Sequence, residues 1–132
     1  MNSNRIDSLV GVWFVDGLQF GEEGILVVTQ EGRVVQFPTS VTPPEKYPIH
    51  RLWMVPEGDH QVRFCASPRG GSWNRGIEWG ESSWTMIAFH DQREIRFRCR
   101  RASEDRLPDW FPEMLEKSLA WMVEREERED PV

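Results

Sequence analysis

At 132 residues the chain has room for one domain with a single core and falls short of two ordinary domains of roughly 100 residues each. With 39% hydrophobic residues, 7 Trp and 7 Phe, apolar burial can offset chain entropy, which excludes disorder for the bulk of the sequence. The formal charge of -6 argues against a general nucleic-acid binder, because phosphate contacts need a clustered positive surface.

The first residues, Met1 to Arg5, lack the apolar segment of a secretory signal, and no apolar run approaches the roughly 20 residues of a membrane span. The expectation is a soluble, cytoplasmic protein with one domain over 1–132. From 9 to 101 the sequence breaks into short segments rich in Val, Ile, Phe and Trp, bounded by Gly, Pro, Asp or Asn, the pattern of strands joined by turns. Eight strands are predicted, at 9–16, 25–30, 33–37, 48–55, 61–67, 75–80, 83–90 and 94–101. Compact connectors at 31–32, 56–59 and 91–93 make their neighbours antiparallel hairpins. The Pro-rich stretch 39–47, with Pro38 just before it, and the stretch 68–74, with Gly70-Gly71, read as loops over a barrel mouth.

After Arg101 the apolar period changes, with Phe111, Met114, Leu115, Leu119, Met122 and Val123 at helical spacing. This predicts one amphipathic helix over about 109–126, with Asp109 as its cap and Pro112 in its first turn, followed by an acidic tail at 127–132. The helix either packs on its own sheet or offers a homodimer or partner surface. The strands 9–16 and 83–90 are apolar on both faces, so the helix is expected to lie over them. The acidic excess concentrates here: 108–132 holds 8 acidic and 3 basic residues.

Eight meandering strands leave two edges that closure into an up-and-down barrel removes. The fold class is therefore mainly β, an eight-stranded antiparallel barrel with a C-terminal helix on its outside. In such a barrel the first and last strands pair, bringing Gly11 and Trp13 beside Arg98 and Arg100. An entry segment before Gly11-Val12-Trp13, a basic residue near the end of the eighth strand and a final helix together resemble the lipocalin family in outline over nearly the whole chain. The resemblance implies that Trp13 closes the barrel floor with Arg98 or Arg100 against it, and that the barrel holds a small hydrophobic or amphipathic ligand. The sequence departs from the family pattern in having no secretion signal, no counterpart of its second motif around Ser82 and Ser83, and short strands.

Strand parity groups Val62 with Phe64, Ile77 with Trp79, and Trp84 with Met86 on inward faces. Trp13, Phe64, Trp79 and Trp84 are thus the candidate ligand-binding residues, with Arg98 to orient an acidic head group. Arg96, Arg98 and Arg100 share one face of the last strand; they are solvated charges if that face points outward and anion ligands if it points in. His50 and His90 fall on strands, where an imidazole can ligate a haem iron or act as a general base, so a haem protein or small-barrel enzyme is a third class, and His60 falls in a turn. Otherwise no cofactor, metal site or catalytic residue is indicated. Cys65 and Cys99 have no metal-ligand spacing and read as reduced, packed thiols. The second functional class is a filled barrel that acts only through its surface.

Overall fold

Val, Ile and Trp alternate along the middle of the chain on two apolar faces, so its sheet must be covered both inside and out. The computed structural model describes residues 5–17, 23–38, 49–58, 61–68, 70–72, 74–90 and 92–129. Its strands are β1 (Gly11–Gly17), β2 (Glu23–Val28), β3 (Arg33–Pro38), β4 (His50–Pro56), β5 (Val62–Ser67), β6 (Gly70–Ser72), β7 (Asn74–Trp79), β8 (Ser83–His90) and β9 (Arg93–Arg101). The one long helix among the described residues is α1 (Phe111–Glu129). All strand pairings are antiparallel, and the sheet order is β6-β5-β4-β3-β2-β1-β9-β8-β7. First and last strands pair as expected, with Trp13 opposite Arg101 and Val15 opposite Cys99.

Nine strands make an eight-stranded barrel because β6 and β7 are separated by residue 73 alone. The 70–79 segment pairs with β5 at its beginning and with β8 further along. The predicted loop at 68–74 is therefore corrected: Gly70-Gly71 lies in β6, where the chain bends from one neighbour to the other. Beyond this bend β5 and β7 lie side by side without a backbone ladder. Gln61 bridges them, its Nε2 donating to the Ile77 carbonyl at 3.2 Å and its Oε1 accepting from the Ile77 amide at 3.3 Å. One side-chain amide thus takes the place of a missing strand residue, and the barrel is nearly closed. The Pro-rich loop expected at 39–47 lies outside the described residues, as do His60 and the side chain of His90.

Two apolar cores follow from the two faces. The inner one gathers Leu9, Trp13, Val15, Leu26, Val28, Val34, Leu52, Val62, Phe64, Ile77, Trp84, Met86 and Cys99. The outer one joins Phe14, Ile25, Val27, Val35, Phe37 and Trp53 to Trp110, Phe111 and Met122 from the start and inner face of α1. Phe37 takes two edge contacts, to Trp110 at 5.8 Å and Phe111 at 5.6 Å. The helix begins one residue after Trp110 with Pro112 in its first turn, as the sequence indicates, and runs through Glu129 into the stretch expected to be tail.

The helix covers β1 to β4 and not β8, which corrects half of the expected placement. On the outer face of β8, Thr85 pairs with Arg98 and Ile87 with Arg96, so the neighbouring arginine row keeps that side polar. Under the helix the outer faces of β2 and β3 present Ile25 and Val27 beside Val35 and Phe37, with Arg33 at the start of β3 reaching Glu126.

Near its C-terminal end α1 is pinned by Glu126. Its carboxylate accepts from Arg33 Nε at 2.7 Å, Arg33 Nη2 at 3.1 Å and the Trp53 indole at 3.0 Å. The Arg33 hydrogen bond, with help from Trp53, holds the Glu126 carboxyl below its usual pKa of 4.5. A carboxyl depressed in the folded state adds stability above its unfolded pKa and loses it as the pH falls through the folded one. Glu126→Gln is therefore expected to cost about 1 kcal/mol near neutral pH. Urea unfolding of both proteins should show that difference shrinking as the pH falls below the usual carboxyl pKa of 4.5 and through the lowered folded-state value.

Candidate functional site

The two ends of the barrel differ in what their strands carry. At one end, a 3-10 turn over Arg5–Leu9 crosses the opening and places Leu9, fully buried, beneath β1. The Trp13 indole donates to the Leu9 carbonyl at 2.8 Å, tying the turn to the first strand. Trp13 meets Trp84 edge-on at 5.7 Å, and Trp84 stacks on Phe64 at 6.2 Å with planes 9° apart. These rings fill the barrel above the floor.

Arg101 covers the floor from outside. Its guanidinium carbon sits 4.0 Å from the Trp13 ring centroid, and Nη1 donates to the Val10 carbonyl at 3.2 Å. Gly11 makes this approach possible: a Cβ there would collide with the Arg101 guanidinium, and its φ of +145° disfavours other residues. The Gly11-Val12-Trp13 triplet thus has a physical basis, a glycine that admits an arginine onto the indole one residue beyond it.

The expectation that Arg98 or Arg100 touches Trp13 is corrected by one strand position, to Arg101. Trp13 and Cys99 face inward, so the same face of β9 carries Arg101, and Arg96, Arg98 and Arg100 take the other. Outside, Arg96 pairs with Glu78 at 2.5 Å and Glu94 at 3.1 Å, and Arg100 pairs with Asp16 at 3.3 Å. Arg98 is exposed on that outer face and is in no position to orient a molecule inside the barrel.

The other sequence-predicted residues do come together. Trp13, Phe64 and Trp84 are buried in the inner core, and half-buried Trp79 packs against it. Trp13, Trp79 and Trp84 also border a cleft of about 380 Å³ at the floor, with Ser8, the turn Gly80 to Ser83, and Arg101. Phe64 does not line it; it is core, with no exposed surface.

Toward the opposite end the inward positions change character. Gly24 follows the parity of Leu26, Gln36 that of Val34, His50 that of Leu52, and Ala66 that of Phe64. Bulky apolar groups give way to a glycine, an amide, an imidazole and a methyl group. Ala66 and His50 are exposed although their parity is inward. Gln36 and His50 are direct cross-strand partners, and the Gln36 Oε1 is buried with no hydrogen-bond partner among the described residues. The Trp84 Nε1, deeper in the barrel, is likewise buried and without a partner among the described residues. Partial desolvation lowers the His50 pKa below 6.5, which keeps the imidazole predominantly neutral at pH 7.

Sequence reasoning missed Arg101, Gln36 and the inward setting of His50. The signal was available in parity: a polar residue two positions from an inward Val, Leu or Cys must share its face. Among the described residues no His, Cys, Asp and Glu cluster is suited to a metal ion. Cys65 and Cys99 are free and buried on opposite faces, since Cys65 pairs with outward Trp53 and Cys99 lies in the inner core. Desolvation pushes the Cys99 thiol far above its ordinary range. No helix among the described residues is long and apolar enough to cross a membrane. Comparison with family models, with curated proteins and with solved structures finds no match.

Gly11→Ala is expected to lift Arg101 off Trp13 and to cost about 1–2 kcal/mol, from backbone strain at positive φ and the lost cation–π contact. Chemical unfolding checks the cost. A blue shift or sharpening of Trp13 fluorescence without any loss of stability would contradict it.

Proposed function

We propose that this protein binds a small amphipathic molecule that enters the barrel from the end opposite Trp13, with its apolar part against the inner core and its polar head beside Gln36 and His50. One observation carries the reading: a buried amide oxygen with no partner among the described residues on the inward face, at the end where His50 and Ala66 of the same parity are exposed. A buried acceptor left unpaired costs about 1–3 kcal/mol, and a ligand donor arriving there recovers it. The head group that fits is neutral, an alcohol or an amide, because Gln36 carries no charge and His50 is predominantly uncharged at pH 7. This replaces the acidic head expected from an inward Arg98. The lipocalin-like reading of the sequence is supported by the barrel order, the Trp13 floor and an arginine from the last strand against it. Haem ligation by His50 is a further reading that the same assay covers.

The competing reading is a filled barrel that acts through its surface or as a homodimer. Packing of α1 on its own sheet, with Met122 fully buried, uses the apolar face of the helix within the chain and leaves that reading with the helix's charged side.

Calorimetric titration with retinol, retinoic acid, a long-chain fatty alcohol, its acid and haem tests the proposal. The alcohols are expected to bind more tightly than the acids, and Gln36→Leu to weaken them about tenfold while raising the melting temperature of the free protein. Failure of all five to bind would sink the proposal in favour of the surface reading.

A further inference from the structure

The floor cleft lies outside the barrel interior. Leu9, Trp13 and Trp84, all nearly or fully buried, stand between the two. Its wall brings together groups from four parts of the chain: Ser8 from the entry turn, Trp13 from β1, Trp79 to Trp84 from the β7–β8 hairpin, and Arg101 from the end of β9. Its volume of about 380 Å³ falls in the lower part of the range of small-molecule sites, enough for a bicyclic ring with a short substituent.

We infer that this cleft is a second binding site, for a small planar aromatic carboxylate. Arg101 supplies the charge. Stacked on Trp13 and donating to the Val10 carbonyl, its guanidinium is held in place before any ligand arrives, and among the described residues no carboxylate forms an ion pair with it. A planar fork of donors fixed in this way matches a carboxylate, whose two oxygens it can meet side by side. Trp79, half-buried at the cleft wall, supplies apolar ring surface, and the Ser82 and Ser83 hydroxyls supply donors at the turn. Glu81 also borders the cleft; it is exposed on the turn and is not in ion-pair contact with Arg101, so it opposes an anion from the rim.

Three probes with one ring and different charges test this: indole-3-acetate, indole-3-ethanol and tryptamine, followed by amide chemical shifts in the full-length protein. Indole-3-acetate is expected to saturate with shifts at Gly80 to Ser83 and Arg101, indole-3-ethanol to bind at least about tenfold more weakly, and tryptamine more weakly still. Arg101→Gln should abolish the preference for the anion. Gly11→Ala should do the same with the charge retained, because it moves the guanidinium. Glu81→Gln, at an exposed turn position, should strengthen anion binding. Gln36→Leu should leave it unchanged, so the two sites can fail separately. Equal binding of all three probes, shifts confined to other residues, or no saturation with the folded wild-type protein would overturn the inference.

Discussion

The pairing of β1 with β9 is the constraint on which the rest of the molecule depends. It closes the meander on one side and sets the face that each neighbouring residue takes. With Trp13 opposite Arg101 and Val15 opposite Cys99, the apolar residues of both strands turn inward and the row Arg96, Arg98 and Arg100 turns out. A shift of one residue would exchange those sets, burying three guanidinium groups and exposing Phe97 and Cys99. The cost of burying unpaired cations makes the observed register the only one compatible with a dry interior.

That register also gives the barrel two unlike ends. Around the floor, the entry turn, Trp13, Trp84 and Phe64 leave no room, and Arg101 seals the outside. Toward the other end, Gly24, Gln36, His50 and Ala66 replace large apolar side chains. On the far side of the sheet, closure is incomplete: the bend between β6 and β7 separates β5 from β7, and Gln61 spans the gap with two hydrogen bonds to Ile77. The strand ladder is therefore interrupted along this seam, where side-chain bonds stand in for backbone ones. Unlike a packed core, an interior with an unpaired amide is retained at a cost in stability, as functional sites commonly are.

Much of this was legible in the sequence because hairpin spacing and period-two alternation are local. The antiparallel order, the inward pairs Val62 with Phe64 and Trp84 with Met86, and the helix entering beside Pro112 all follow from short windows. Arg101 was not legible in the same way. It follows Arg100 in the chain, and only the parity of Cys99 separates the arginine that reaches Trp13 from its neighbour that pairs with Asp16. The position of α1 also escaped local reading. Both β1 and β8 are apolar on two faces, but the helix settles where adjacent outer faces are apolar together, and that adjacency belongs to the sheet order. The strand β6 escaped because Gly70-Gly71 has the composition of a turn, and it pairs through backbone groups that carry no side-chain signature.

The proposed binding site requires a barrel interior that is filled at the Trp13 end and accessible at the Gln36 end. Thiol reactivity at two inward positions tests it directly. A cysteine introduced by Ala66→Cys is compared with native Cys99 in the folded protein, using a small thiol reagent and intact-mass detection. Rapid labelling is expected at 66, and none at Cys99 until the protein is unfolded. Protection at both positions would mean that the interior is filled throughout, and labelling at both would mean that the floor does not close; either result contradicts the account.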